Sequence, residues 1–187
     1  MTLIPVFDLD GTLIDSDDAL AAPFVLLGVD RADVTFGHVL EHECARLGID
    51  VADYLAAYDD RAAQPFPGVA ALVAGLDRWA VCSNKHSEAG YAELARLGWR
   101  PEVALFNDAF DGPKHLAPVL DALGLSAEEV VFVGDTAHDR SCAQAAGVRF
   151  GLAAWNPRSR PQPGDVVLSH PGEVLALLGG GQSTLTA

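Results

Sequence analysis

The chain opens on a short apolar run, residues 3–7, that stops at Asp8-Leu9-Asp10-Gly11-Thr12. Such a run closed by a glycine turn predicts a buried strand that ends in a tight loop. From about residue 15 to 64 the apolar positions recur at helical spacing, which predicts helices over 17–27, 33–47 and 50–63. Each begins near an aspartate suited to capping, and Gly28 and Gly48 mark two of the ends. Pro65-Phe66-Pro67-Gly68 then turns the chain into a second regime. There, helices at 69–77, 87–97, 114–123 and 136–146 alternate with strands at 79–82, 103–106, 130–133 and 148–152. Alternation of this kind predicts an α/β fold, a doubly wound parallel sheet covered by helices on both faces. The helical stretch 16–65 reads as a small all-helical cap inserted after the first strand, with 1–15 and 66–187 forming the core. The glycine-rich segment 179–184 reads as a frayed tail.

In an open parallel sheet the ligand crevice lies at the carboxyl ends of the strands. The residues that follow the predicted strands are therefore the candidates: Asp8 and Asp10, then Ser83, Asn84 and Lys85, then Asn107 and Asp108, then Gly134 and Asp135. Carboxylates gathered there repel one another, and a hard divalent cation resolves the repulsion. Mg²⁺ takes oxygen ligands and commonly shares them between one or two carboxylates and a phosphate. Groups fit to hold a phosphate stand beside them: the amides of the Gly11 turn, the Ser83 hydroxyl and a lysine. Only two lysines occur, Lys85 and Lys114, against ten arginines, and both fall near the expected crevice. Lys114, at the start of a predicted helix, is the favoured phosphate ligand, with Lys85 as the alternative. On the second predicted cap helix, His38, Glu41, His42 and Arg46 are candidates for substrate contact. Arg46 suits a distal carboxylate or second phosphate, and a solvent-exposed arginine is an equally good reading of it.

Composition narrows the partners. At 187 residues, half of them hydrophobic and a fifth charged, the chain is long enough for one well-buried domain carrying a small insertion. A formal net charge of -14 with scattered basic residues excludes nucleic acid and anionic membranes as partners. The uncharged stretch 19–29 contains Pro23 and is far short of the roughly 20 apolar residues of a membrane span. With no basic, apolar leader pattern at the N-terminus, a cytoplasmic location is expected. Cys44, Cys82 and Cys142 are widely spaced and expected to be reduced. The expected partner is a small phosphorylated metabolite, and the sequence does not set an oligomeric state.

Four motifs in order, Asp8-Leu9-Asp10-Gly11-Thr12, Val81-Cys82-Ser83-Asn84-Lys85, Lys114 and Val133-Gly134-Asp135-Thr136-Ala137-His138-Asp139, resemble the haloacid dehalogenase superfamily. The pattern looks most like its phosphatase branch with a helical cap, similar to phosphoglycolate phosphatases. That resemblance implies Asp8 as nucleophile, forming an aspartyl-phosphate. It implies Asp10 as acid and base, and Mg²⁺ held by Asp8, Asp135 and the backbone carbonyl of Asp10. Ser83 and Lys114 would hold the phosphoryl oxygens, with Gly11, Thr12 and Asn84 beside them, and Asp139 would orient Lys114 or a metal-bound water. Dehalogenases of the superfamily lack the second aspartate, so Asp10 weighs against dehalogenation. Two other readings stay open: a phosphomutase, which must exclude water, and a phosphoacceptor domain that binds partners without turnover.

Overall fold

The computed structural model describes residues 2–37 and 39–179. Its main sheet is built from β1 (Ile4–Phe7), with β2 (Ile14–Asp15) set apart just after it. Helices α1 (Asp17–Leu26), α2 (Leu40–Leu47) and α3 (Val51–Ala57) follow, and β3 (Gln64–Pro65) pairs antiparallel with β2. The remainder runs α4 (Val69–Ala74), β4 (Ala80–Cys82), α5 (Ser87–Leu97), β5 (Val103–Leu105), α6 (Ala117–Leu123) and β6 (Val130–Gly134). It ends with α7 (Ala137–Ala146), β7 (Arg149–Ala153), β8 (Val166–Leu168) and α8 (Val174–Leu178).

The six-stranded sheet has the order β5-β4-β1-β6-β7-β8, and every pair in it is parallel. β1, β4 and β6 are buried on both faces, which is why they read as unbroken apolar runs. Side chains alternate across the sheet. Phe7, Val81, Val131 and Val133 join one core with Leu72 and Val73 of α4, Leu94 of α5 and Val174 of α8. Val6, Ala80, Cys82, Val130 and Phe132 join another with Val119 and Leu123 of α6 and Ala143 of α7. The α/β doubly wound expectation therefore holds. The chain winds outward from β1 through β4 to β5, then crosses back to β6 on the other side of β1. That reversal opens a crevice above the ends of β1 and β6.

A third, separate cluster lies between β2 and β3, where Ala21, Phe24, Val34, Cys44 and Tyr54 pack together and the Phe24 and Tyr54 rings lie 4.6 Å apart. Some expected boundaries are corrected. The helix expected over 33–47 is a 3₁₀ turn at Arg31–Asp33 and then α2 from Leu40, because Gly37 takes a left-handed φ of 86° between them. The helix expected from residue 114 starts at Ala117, with Pro118 in its first turn, so Lys114 sits on the loop before it. α3 ends at Ala57, and β8 and α8 were not anticipated. His38 and residues 180–184 of the expected tail lie outside the described residues.

Phe7 is fully buried at the centre of the sheet, edge-on to Trp79 with ring centroids 6.1 Å apart. Phe7→Ala is expected to cost about 3–5 kcal/mol of unfolding free energy in a denaturant titration.

Candidate active site

The turn after β1 shows how sequence places the first two carboxylates. The Asp8 amide continues the ladder to the Val133 carbonyl (2.9 Å), and the Leu9 carbonyl then accepts from Leu13 (2.9 Å) and Ile14 (3.0 Å). Closing so tight a loop needs Gly11, whose φ is 75°. A Cβ there would also lie 2.6 Å from Asp135 Oδ2, so the turn and the end of β6 approach as closely as backbone permits. Asp8, Asp10, Ser83, Lys114 and Asp135 all line one cavity of about 110 Å³, as do Phe24, Leu40, Tyr54 and Tyr58 from the helical segment.

Asp8 Oδ1 receives both the Leu9 amide (2.8 Å) and the Lys114 ammonium (2.8 Å). Its other oxygen carries neither. Lys114 Nζ also pairs with Asp139 Oδ1 at 2.6 Å. Asp139 is placed by a capping box at the start of α7: the Thr136 hydroxyl accepts from its amide, and its Oδ2 accepts from the Thr136 amide (2.9 Å) and hydroxyl (2.6 Å). Burial lowers an ammonium's pKa, but Asp139 and Asp8 more than offset it and hold Lys114 above its ordinary value. Burial pushes the Asp139 carboxyl up, yet Lys114 and Thr136 outweigh it and hold the group below its ordinary value.

The remaining carboxylates are undercompensated. Burial, opposed by Lys114 and reinforced by Asp139 and Asp10, pushes Asp8 up to about 6. Burial together with the like charges of Asp8 and Asp139 pushes Asp135 up to about 8. The charge of Lys114 and nearby neutral donors soften this: Thr12 Oγ1 lies 3.2 Å from Asp135 Oδ1, and Asn156 Nδ2 lies 2.9 Å from Oδ2. Oxygen atoms of Asp8, Asp135 and Asp139 all lie within 4.8 Å of one another. Since Asp139 is committed to Lys114 and Thr136, Asp8 and Asp135 are the side chains left to hold a hard divalent cation.

Ser83 is buried beside this group, with its Oγ accepting from the Lys85 amide at 3.3 Å. Asn84 serves the loop architecture: its Oδ1 accepts from the Lys114 amide (2.7 Å), which sets the lysine's height over Asp8. Lys85 is not on Asp8. Its ammonium meets Asp10 Oδ1 at 2.8 Å and Glu93 Oε1 at 3.1 Å. Arg46 is not brought to the cavity, because it pairs with Glu43 (2.7 Å) and donates to the Asp33 carbonyl. Glu41 accepts from Asn107 Nδ2 (2.9 Å), joining α2 to the loop after β5, and His42 lines a separate groove.

Four residues escaped sequence reasoning in these roles. Asn156 Nδ2 bonds the Gly11 carbonyl (2.8 Å) as well as Asp135, and Trp155 Nε1 bonds the Thr12 carbonyl (2.9 Å), so the loop after β7 clamps the glycine turn. Tyr58 and Glu93 both contact Lys85. Only Glu93 left a signal, a charge on the inward face of α5 between Gly90 and Leu94.

The sequence profile of the haloacid dehalogenase-like hydrolases matches residues 5–153. The chain belongs to that family. This haloacid dehalogenase-like hydrolase is 31% identical to a phosphoglycolate phosphatase of Mesorhizobium japonicum, over 78% of its own chain and 79% of the relative. With the phosphoglycolate phosphatase of Pectobacterium atrosepticum it shares 30% identity, over 92% and 91% of the two chains. Its fold resembles a solved haloacid dehalogenase-like hydrolase from Streptococcus pneumoniae, with a TM-score of 0.74 at 22% identity, covering 94% and 98% of the two chains. Among the described residues no helix is long and apolar enough to cross a membrane.

Asp8 and Asp135, raised from 3.8 to about 6 and about 8, bind protons more tightly folded than unfolded. Their contribution to stability is present below about pH 4 and is lost as pH rises towards about 8. Metal-free protein should therefore lose stability across that window. If the ionised pair holds Mg²⁺, saturating Mg²⁺ should raise the melting temperature more at about pH 8.5 than at about pH 5.5. Equal shifts at both values would disconnect the metal from these carboxylates.

Proposed function

We propose that the chain is a Mg²⁺-dependent phosphatase that hydrolyses a small phosphomonoester through an aspartyl-phosphate on Asp8. The observation that carries this reading is Asp8 itself: one oxygen is held by Lys114 and the Leu9 amide, while the other is left to a carboxylate-rich cavity. The all-oxygen donor set of Asp8 and Asp135, and the carbonyl of Asp10, suit Mg²⁺. When bound, the ion neutralises charge on the phosphoryl group and the carboxylates.

The chain's own groups divide the rest. Lys114 Nζ and the Ser83 hydroxyl hold the phosphoryl oxygens as charge shifts among them. Asp8 attacks phosphorus, and the bond from phosphorus to the leaving oxygen breaks with its electron pair remaining on that oxygen. Asp10 gives that oxygen a proton. Water then attacks phosphorus and returns a proton to Asp10, and Asp8 departs as a carboxylate. The helices between β2 and β3 act as a cap, with residues 16–65 as the inserted unit and the rest as the core. They exclude water from one wall of the cavity, and Asp15-Ser16 and residues 65–68, at the two ends of the segment, are the candidate hinges.

Relatives named phosphoglycolate phosphatase make that compound the first ester to try, and sugar phosphates the next. An acidic chain with no basic patch suits a small metabolite, and a cytoplasmic site of action is consistent with the same composition. Phosphate release from a metabolite panel is expected with Mg²⁺, and at the level of the blank with EDTA or in Asp8→Asn. Asp10→Asn should lower turnover of alkyl phosphates by about 10²–10⁴-fold. A folded wild type that releases no phosphate from any ester would overturn the hydrolase reading. Isomerised sugar phosphate in place of free phosphate would turn it into a mutase.

A further inference from the structure

The two lysines of the chain occupy matching positions: each stands between a carboxylate of the β1 turn and a fully buried carboxylate on a helix. Lys114 lies between Asp8 and Asp139, and Lys85 between Asp10 and Glu93. They differ in what they have left to give. An ammonium has three donors. Lys85 directs them at Asp10 Oδ1 (2.8 Å), Tyr58 Oη (3.0 Å) and Glu93 Oε1 (3.1 Å), with its side chain 2% exposed. Among the described residues Lys114 pairs with two carboxylates, so one donor remains for a phosphoryl oxygen. Lys85 has none to spare for substrate.

The bracing of Lys85 is elaborate for a lysine whose three donors all go to the chain's own side chains. Glu93 is fully buried, and among the described residues its Oε2 has no hydrogen-bond partner, an arrangement that costs stability. Tyr58, from the chain just after α3, donates its hydroxyl to Glu93 Oε1 and lays its ring 5.1 Å from the Lys85 ammonium. Asp10 would otherwise be loosely held, because its side chain is 20% exposed and stands on a glycine turn.

Resting on the hydrolase reading above, we propose that Lys85, braced by Glu93 and Tyr58, is a positioning residue that fixes the Asp10 carboxyl for proton delivery to the leaving oxygen. Because Tyr58 belongs to the helical segment, Asp10 is fully fixed only when that segment lies against the core. A group whose sole task is to aim a proton donor matters most when the leaving oxygen is basic and little when it departs unaided.

The test compares kcat/KM on phenyl phosphate and 4-nitrophenyl phosphate in the wild type, Tyr58→Phe and the charge-neutral double variant Lys85→Met/Glu93→Gln. Folding of each is verified by thermal melting with and without Mg²⁺. The double variant is expected to lose about tenfold or more on phenyl phosphate and no more than about threefold on the 4-nitrophenyl ester. Tyr58→Phe should show the same asymmetry more weakly, and it carries the test alone if the double variant does not fold. Equal losses on both esters, or no loss on either, would overturn the assignment while leaving the hydrolase reading intact. A folded wild type that cleaves neither of these esters nor any other in the panel would instead remove the hydrolase reading.

Discussion

Too many carboxylates for too few cations is the constraint on which the site depends. Asp8, Asp135 and Asp139 crowd within 4.8 Å, Asp10 follows two residues after Asp8, and Glu93 is buried close by, while the chain has only two lysines. Each lysine is shared between two carboxylates, and Asp135 is left with neutral donors from Thr12 and Asn156. The excess negative charge is what a divalent cation and the electropositive phosphorus of an ester can use. On the proposed reading, a cavity so charged would favour a phosphorylated substrate only with a divalent cation in place, which would tie binding to catalysis.

The scaffold turns this crowding into order. Parallel strands deliver Asp8 and Asp135 from adjacent β1 and β6 at the point where the winding direction reverses. Gly11 lets the turn pass within van der Waals range of Asp135, and the capping box of α7 aims Asp139 at Lys114. Asn84 and the loop carrying Trp155 and Asn156 fix the backbone around the site. Preorganisation of this kind means that the polar groups are oriented before charge moves.

The core was legible because its physics is local. Buried strands that end in aspartate or serine, and helices with caps and glycine stops, all announce themselves within a few residues. Element ends were less legible: Gly37 interrupts a run whose apolar spacing reads as one helix, and β8 is a three-residue strand whose first two residues are exposed. The Lys85 network was hidden for another reason. Tyr58, Glu93 and Asp10 lie far apart in the chain, and only the closed packing of the helical segment on the core brings them to one ammonium. Arg46 read equally well as a ligand or as an exposed arginine, and Glu43 three residues before it captures the guanidinium.

The central claim is that Asp8 accepts the phosphoryl group while Asp10 serves proton transfer. Its most direct test is acid-quenched peptide mass analysis of the Asp10→Asn variant mixed with Mg²⁺ and 4-nitrophenyl phosphate, whose leaving group needs no proton. The account predicts a phosphoryl group on the peptide carrying Asp8, absent when Asp8 is also changed to Asn. Release of nitrophenol with no phosphorylated peptide at any quench time, or with the label on another residue, would contradict it.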